Sequence, residues 1–319
     1  MPTARFGALP LALLLLAALL LGACGRDKPS HGMERKGFES TPQGDAITPG
    51  FAITDGETYS ADVAMTMQIR HVATLAGRPN TTERSGRAVL DLVWTMRKPL
   101  ADAPPTSSVT MRYAEAEGQD AQGYLAREVI HGTLRHGEDG RVQTRTLQLQ
   151  GGTAPEQLQA QDLFVSLMLA GFAGSYPWTP PRAIRVGETW PLEEFIKPRA
   201  LENLRRYGRE TGLASPEPSF EGTGILRALV EEDGELWLDV EIEALVELSG
   251  TASKGTERGQ ISLGDRITGK ARISATRGVP RQFEVSHSRR TQGRSGSDTS
   301  DLSVSSTLRG TVVRTLPGK

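Results

Sequence analysis

The sequence of 319 residues contains a single cysteine, Cys24. One thiol cannot build a disulfide framework, and zinc clusters made of cysteines need several thiolates. Aromatic residues are also few, at 5% of the chain. The apolar fraction of 37% and the charged fraction of 24% are still close to those of ordinary folded proteins, so we expect a folded body of one or two domains.

An excess of charge of either sign is lacking as well. Thirty-seven basic residues stand against 38 acidic ones, which gives a net charge of −1. Binding of nucleic acid calls for a basic surface. We therefore expect no nucleic acid partner.

Familiar catalytic motifs are missing too. The chain has no G-x-S-x-G, H-E-x-x-H, P-loop or G-x-G-x-x-G sequence. Among the five histidines, His131 and His136 differ in strand parity, so they would face opposite sides of a sheet and could not share a metal ion. The sequence therefore predicts no enzyme, no cofactor and no metal site.

The first 24 residues have the pattern of an export signal. Arg5 precedes an apolar run at residues 8–21, which is shorter than the roughly 20 residues that a transmembrane helix needs. The run ends in Leu21-Gly22-Ala23-Cys24, which resembles the lipobox of bacterial lipoproteins. That resemblance implies cleavage before Cys24, a diacylglycerol on its thiol and contact with the membrane through this lipid anchor. Because Gly25 rather than aspartate follows, it favours the outer membrane, with the protein facing the periplasm.

The domain organisation follows from these patterns. Residues 1–23 are predicted to be a signal peptide, and 24–52 the lipidated cysteine with a flexible tether, since turn formers and charges there show no apolar period. Residues 53–319 are expected to form a single β-rich domain. It would contain two β halves, at about 53–150 and 220–317, around a helical centre at 153–210.

Strict alternation of apolar and polar residues predicts strands in both halves. The clearest segment follows the hairpin signal Asp233-Gly234, where every even position from 236 to 248 is apolar. The odd positions there are mostly acidic, and we expect them to pair across the sheet with the basic positions of residues 266–272. Such alternation is typical of antiparallel sheets with one apolar face.

Between the two halves the apolar period becomes that of a helix, at residues 156–173 and more weakly at 199–209. A long sheet with one apolar face needs a cover, and the first of these helices is the better apolar candidate. The predicted fold class is therefore mainly β (α+β). It consists of a long, curled antiparallel sheet, a half-barrel, packed on one or two central helices.

The segment Val186-Gly187-Glu188-Thr189-Trp190 resembles a V-G-[DE]-[ST]-W signature of uncharacterised bacterial lipoproteins. From the residues themselves, Gly187 is expected to allow a tight turn and Trp190 to fill the edge of the core. The resemblance covers about residues 50–316 and implies no activity. More distantly, the architecture is similar to half-barrel lipoprotein carriers and mycobacterial lipid-binding lipoproteins, which hold acyl chains between a curved sheet and its helices.

Two interpretations of the inward-facing side chains remain open. In the first, the protein binds a lipid or another apolar small molecule between sheet and helix. The lining would consist of Met65, Met67, Phe164, Met168, Leu238, Val240, Ile242 and Ile273. In the second, these residues are ordinary core, and the protein is a structural or interaction lipoprotein that meets other envelope proteins through its mixed-charge outer face.

Overall fold

The computed structural model describes residues 42–52, 54–75, 77–98, 104–118, 129–137, 142–150, 178–193, 219–254, 257–295 and 298–316. Within these ranges the chain forms thirteen β-strands. In chain order they are β1 (Gln43–Ile47), β2 (Thr58–Leu75), β3 (Arg78–Arg97), β4 (Thr106–Gly118), β5 (Val129–His136), β6 (Val142–Gln150), β7 (Ile184–Val186), β8 (Thr189–Pro191), β9 (Ser219–Glu232), β10 (Glu235–Lys254), β11 (Glu257–Ser274), β12 (Pro280–Ser295) and β13 (Asp298–Thr315).

Eleven of the described strands form one antiparallel sheet, in the order β6-β5-β4-β3-β2-β13-β12-β11-β10-β9-β8. Strands β2–β6 make one run of neighbouring strands and β9–β13 make another, and the two runs meet where β2 pairs with β13. β1 and β7 form a separate two-stranded sheet. The predicted antiparallel, mainly β architecture is therefore confirmed.

The turn between β9 and β10 shows how local sequence sets this topology. Asp233 and Gly234 have φ angles of 56° and 72°. A two-residue hairpin turn of the I′ type needs positive φ at both positions, which aspartate tolerates and glycine adopts freely. The predicted hairpin and the long strand after it are both present, since β10 has 20 residues.

The strand registers arrange side chains of one face in rows that cross six strands. One central row consists of Ile242, Gly269, Val285, Leu308, Met65 and Ala88, on β10, β11, β12, β13, β2 and β3. Side chains alternate between faces, so positions two residues apart share a face. We call the face that carries this row the inner face, and the opposite one the outer face. The end at which β2 and β10 begin is the near end, and the other is the far end.

A close-packed core covers the inner face at its near end. Side chains of the sheet such as Val63, Leu90 and Leu238 have no more than 1% of their surface exposed. Trp178, Ile184, Trp190 and Leu192 belong to the same buried cluster. The fully buried members with the largest side chains are Trp94, Trp178, Trp190, Leu90, Leu92, Met96, Met111, Leu134, Ile184, Leu192 and Leu226.

Two glycines of the sheet make room for two of these tryptophans. Gly224, Ile242 and Gly269 are neighbours across β9, β10 and β11. The ring of Trp190 lies against Gly224 and that of Trp178 against Gly269. Glycines inside strands often mark such a close approach, because an aromatic ring occupies the place of the missing side chain.

The V-G-E-T-W segment forms the turn between β7 and β8. Gly187 has a φ of 82°, and Trp190 is 1% exposed. Both predictions made for these residues are confirmed. Glu188 closes the turn, because its carboxylate accepts hydrogen bonds from Arg182 Nη1 at 2.6 Å and from the Arg185 backbone N–H at 3.0 Å. These bonds hold the pKa of Glu188 below its ordinary value, with the Arg182 side-chain bond as the main cause.

The outer face carries the predicted cross-strand ion pairs. Arg272 donates to both carboxylate oxygens of Asp239, from Nε at 2.7 Å and from Nη2 at 2.9 Å. Lys270 Nζ lies 3.5 Å from Glu241, and Arg266 bonds to Glu243. The acidic positions of β10 therefore pair with the basic positions of β11 as the sequence predicts.

The flexible tether predicted for residues 24–52 extends too far toward the C-terminus, because residues from 43 onward belong to the folded body. Residues 43–47 form β1, and the backbone N–H of Gly50 donates to the carbonyl of Ala275 at 2.7 Å. The Phe51 ring packs on His136, with 5.2 Å between the ring centroids. β1 has no apolar period because four of its five residues are exposed. Backbone pairing with β7 holds it, which composition does not reveal.

Both predicted helices, 156–173 and 199–209, lie outside the described residues, as do Cys24, Phe164 and Met168. In the described part of the chain the inner face packs against Trp178 and Ile184, so the expected packing on helices has no support there. Within that part, no helix has the length and apolarity required to cross a bilayer.

Candidate functional site

The six described residues of the predicted ligand lining share the inner face, but they differ in accessibility. Leu238, Val240, Ile242 and Ile273 are no more than 3% exposed and belong to the close-packed core. Met65 and Met67, on β2, are half-buried, and Met65 packs against the edge of that core. The accessible part of the inner face therefore begins at the two methionines.

An apolar surface that is only half-buried extends from these methionines across the middle of the sheet. It spans β2, β13, β12 and β11, and we call it the apolar band. Its residues are Met65, Met67, Ile69, Val285, Val304 and Ile267. Three strand spacings of roughly 4.8 Å make it about 14 Å wide.

Charged and polar side chains lie within the same rows as the apolar band. One row reads Ala244, Ile267, His287, Ser306, Met67 and Gly86, and the next reads Val246, Asp265, Arg289, Val304, Ile69 and Arg84. Asp265 stands on β11, and His287 and Arg289 stand on β12. We call these three residues the Asp265 cluster.

The geometry of the Asp265 cluster is that of a fully engaged carboxylate. His287 Nε2 lies 2.7 Å from Asp265 Oδ1. Arg289 donates from Nε to Oδ1 at 2.9 Å and from Nη2 to Oδ2 at 2.5 Å. Side-chain exposure is 13% for Asp265 and 22% for each partner. The cluster is thus partly buried. The imidazole of His287 and the guanidinium of Arg289 both contact the carboxylate of Asp265.

The electrostatics of the cluster favour the ionised carboxylate. Burial of Asp265 raises its pKa, but the charge of Arg289 and the hydrogen bonds from His287 and Arg289 outweigh this effect and lower the pKa to about 2. Asp265 therefore carries a full negative charge at neutral pH. It orients a guanidinium and an imidazole, both of which can bind a polar or anionic group in apolar surroundings.

Beyond the Asp265 cluster the inner face carries apolar and polar side chains in equal number. The next row reads Leu248, Leu263, Thr291, Leu302, His71 and Thr82. Leu248 and Leu302 are 5% and 7% exposed. His71 Nε2 lies 2.9 Å from Ser300 Oγ, one row further. The Asp265 cluster therefore adjoins further polar side chains, such as Thr291, on its far side.

A second charged group lies at the near end and joins Glu57, the residue before β2, to β13, β10 and the β11–β12 turn. Glu57, which is completely buried, binds Arg314 Nε of β13 and lies 3.6 Å from Arg277 Nε in the β11–β12 turn. Arg277 Nη1 also lies 2.5 Å from Glu235 of β10. The pKa of Tyr59 is raised, first by burial and then by the negative charge of Glu57. These ion pairs hold the near ends of neighbouring strands together, beside the close-packed core.

Sequence reasoning did not find the Asp265 cluster, although one signal was present. Asp265 is in phase with Ile267 and Ile273, and His287 is in phase with Phe283 and Val285. Polar residues in phase with apolar ones predict buried polar groups. Which residues become neighbours depends on the β11–β12 register, and alternation does not give that register. Among the described residues, no group of His, Cys, Asp and Glu is placed to hold a metal ion.

Comparisons with known proteins give no family for this chain. No family model matches it, and no curated protein matches it. Among solved structures, it is similar to the COG4313 outer membrane channel from Pseudomonas putida F1, at 9% identity over 82% of this chain and 97% of that one, with a TM-score of 0.20. It is also similar to a DUF1329 family protein from Desulfovibrio piger ATCC 29098, at 9% identity over 79% and 84% of the two chains, with a TM-score of 0.13. Likeness this low assigns neither a family nor an activity.

Proposed function

We propose that this chain is a lipid-anchored protein of the bacterial cell envelope, attached through Cys24, that binds a lipid or another apolar small molecule on the inner face of its sheet. The apolar band carries the proposal. Met65 and Val285 are half-buried although they pack against a core that is closed to solvent, and Met67 on the same strand as Met65 is half-buried too. Apolar surface that remains accessible beside a packed core is typical of a ligand site.

Two properties of the apolar band suit a flexible apolar ligand. Methionine side chains are unbranched and polarisable, so Met65 and Met67 can adapt to chains of different shape. The band has members on four neighbouring strands, whose backbone hydrogen bonds are satisfied within the sheet. An apolar ligand on this surface can therefore contact the side chains without burying backbone groups that lack a hydrogen-bond partner.

The envelope location is supported by the leader and the Leu21-Gly22-Ala23-Cys24 sequence. Several acyl chains on one cysteine give stable membrane attachment, whereas a single chain binds only marginally. The absence of aspartate after Cys24 favours the outer membrane, with the body in the periplasm. The sheet would then act beside the membrane that supplies its ligand.

The ligand proposal is tested by photo-crosslinking in isolated, ATP-free envelopes from cells that produce the full-length chain. The probe is a C16 fatty acid with a diazirine and an alkyne, which labels protein only after ultraviolet irradiation. We expect labelled peptides from β2 and β12, and loss of labelling in Met67→Asp, which places a charge in the apolar band. Met96→Asp is unsuitable as a control because Met96 is buried in the core.

The matched control is Thr66→Asp, since Thr66 is the neighbour of Met67 on the exposed outer face. We expect Thr66→Asp to keep full labelling. Absence of irradiation-dependent labelling in the wild-type chain would contradict the ligand proposal. Protein partners crosslinked instead at the outer face would favour an interaction protein without a ligand.

A further inference from the structure

We infer that the outer face of the sheet, at its near end, lies on a bilayer that contains anionic phospholipid. This inference rests on the proposed attachment through Cys24, because it assigns the surface that the anchored body presents to the membrane. It goes beyond that proposal, since it concerns a second membrane contact, made by the fold itself on the face opposite the apolar band.

The surface consists of three outer-face rows at the near end, on β13, β2, β3, β4 and β5. With about 4.8 Å between strands and about 3.3 Å per residue along them, it measures about 19 Å by 13 Å. None of its residues is acidic, and we call it the acid-free patch. From the end inward, its rows read Arg97, Thr106 and Arg135, then Thr315, Thr58, Thr95, Ser108 and Thr133, then Val313, Ser60, Val93, Thr110 and His131.

The exposed apolar side chains of the sheet lie at this patch. Among the described residues, the large apolar side chains that are exposed are Val313 at 59%, Val93 at 40% and Leu316 at 37%. Val313 and Val93 stand in one row, on either side of Ser60, and Leu316 directly follows β13. One exposed valine is ordinary on a protein surface, but the concentration of all three at one end indicates a contact surface.

The charges of the acid-free patch are positive. Arg97 and Arg135 flank Thr106 in the row nearest the end, and Lys98 follows Arg97 where β3 ends. All three basic side chains are exposed. Basic and acidic residues nearly balance in the whole chain, at 37 against 38, so composition does not explain a region that has only cations. Anionic lipid head groups attract such a region.

Acidic residues limit the contact to this patch. Asp62 and Asp91 are opposite each other in the next row, where Asp91 accepts a hydrogen bond from Arg112 Nε at 2.6 Å. Beyond the edge, Asp55 accepts one from the backbone N–H of Lys98 at 3.0 Å. The β9–β10 turn, on the other side of the near end, carries the exposed Asp233. Anionic lipid repels these carboxylates, so the sheet would tilt until β13 to β5 face the bilayer.

The proposed anchor makes a weak contact sufficient. Nineteen peptide steps separate Cys24 from Gln43, where β1 begins, and at about 3.6 Å each they span at most about 68 Å. A lipid on Cys24 therefore keeps the patch close to the bilayer surface, and the encounter becomes intramolecular. Two exposed valines and three cations do not bind a membrane tightly by themselves, but they suffice to orient a body that is already attached.

The test uses the full, lipidated chain in vesicles of phosphatidylethanolamine in which about a quarter of the lipid is phosphatidylglycerol. Because Cys24 is the chain's one cysteine and would carry lipid on its thiol, an introduced cysteine can be labelled selectively. Val93→Cys receives the fluorophore NBD, and quenching by a phospholipid with a nitroxide near its head group is measured. The matched control is Thr81→Cys, since Thr81 is exposed on the same face of β3, about 40 Å nearer the far end. We expect quenching at position 93 and none at position 81.

The role of charge is tested by Arg97→Gln in the Val93→Cys chain. Arg87→Gln is its matched control, because Arg87 is also an exposed outer-face arginine of β3 but lies outside the acid-free patch, opposite Thr66. One basic residue near an anionic surface changes binding about fivefold. We therefore expect the equilibrium constant for docking, measured from the quenching, to fall about fivefold in Arg97→Gln and to stay unchanged in Arg87→Gln. Replacement of phosphatidylglycerol by phosphatidylcholine should abolish the quenching.

The outcomes separate this inference from the proposed function. Equal quenching at positions 93 and 81, in protein that floats with the vesicles, overturns the docking surface while the anchor stands. A chain that does not float with the vesicles overturns the attachment through Cys24 itself. Quenching at position 93 that is unchanged by Arg97→Gln and by removal of phosphatidylglycerol overturns the choice of anionic lipid. No quenching there, together with protection of the same cysteine from a maleimide in isolated envelopes, would assign the patch to a protein partner instead.

Discussion

The indole of Trp178 lies directly on Gly269, in the centre of the inner face. A Cβ atom added to Gly269 would be 2.5 Å from Cη2 of the ring, which is well inside van der Waals contact. Trp178 is 1% exposed. The contact therefore fastens the segment that precedes β7 to the sheet, and it depends on the absence of a side chain at position 269.

Substitution Gly269→Ala should destabilise the protein. The ring of Trp178 or the backbone of β11 would have to move, and overpacking of this kind costs about 1–3 kcal/mol. Denaturation by urea measures the change in the free energy of unfolding. Gly293→Ala is the matched control, since Gly293 is also an inner-face glycine and a Cβ there would meet nothing within 4 Å. We expect its effect to be under about 0.5 kcal/mol, and equal losses in the two variants would contradict the argument.

Substitution Glu57→Gln should be strongly destabilising. Glu57 is completely buried against Arg314 and Arg277, and removal of one partner of a buried ion pair costs about 3–5 kcal/mol. The comparison is Glu83→Gln, because Glu83 and its partner Arg70 are 68% and 64% exposed. Exposed pairs contribute about 0–1 kcal/mol. The two free energies of unfolding, measured at pH 7, should differ by at least about 2 kcal/mol, and similar values would show that Glu57 is not essential to the near end.

The stability that Asp265 supplies should depend on pH in the acid range. Its pKa is lowered from 3.8 to about 2 in the folded protein, so ionised Asp265 stabilises the fold above pH 4, and this contribution is lost as the pH falls toward 2. The contribution amounts to about 2 kcal/mol. The difference in free energy of unfolding between the wild type and Asp265→Asn should be constant from pH 7 to 5 and shrink below pH 4. A difference that grows on acidification would contradict the assignment.

Lipidation of Cys24 is directly measurable. Cells fed alkyne-palmitate should label the wild-type chain, and Cys24→Ala should lose this covalent label because the chain has no other cysteine. Hydroxylamine-resistant labelling in the wild type would agree with an amide-linked acyl chain on the new N-terminus. Labelling that survives in Cys24→Ala would refute the anchor.

Local sequence determines much of this fold. Asp233-Gly234 predicts its own turn, and the alternation at residues 236–248 predicts both the strand and the side that faces inward. The Asp239–Arg272 pair is predictable because the hairpin places acidic β10 beside basic β11. Each of these features depends on residues that are close in the chain.

Longer-range features were not predictable from the sequence. The position of Trp178 over Gly269 joins residues 91 positions apart, and no periodicity encodes it. The Asp265 cluster needs the register between β11 and β12, which a shift of one residue would change entirely. The strand β1 pairs with β7 through backbone groups, which are the same for every residue type. Geometry rather than composition decides all three.

The pairing of β2 with β13 has a consequence for biosynthesis. β2 is made early, and its partner on that side is the most C-terminal strand described, more than 220 residues later. The 18 residues of β2 are therefore synthesised long before β13, the strand that pairs with that edge. Unpaired edges invite intermolecular association. We therefore expect the unpaired edge of β2 to need protection from association with other chains, for example by a chaperone, until β13 has been made.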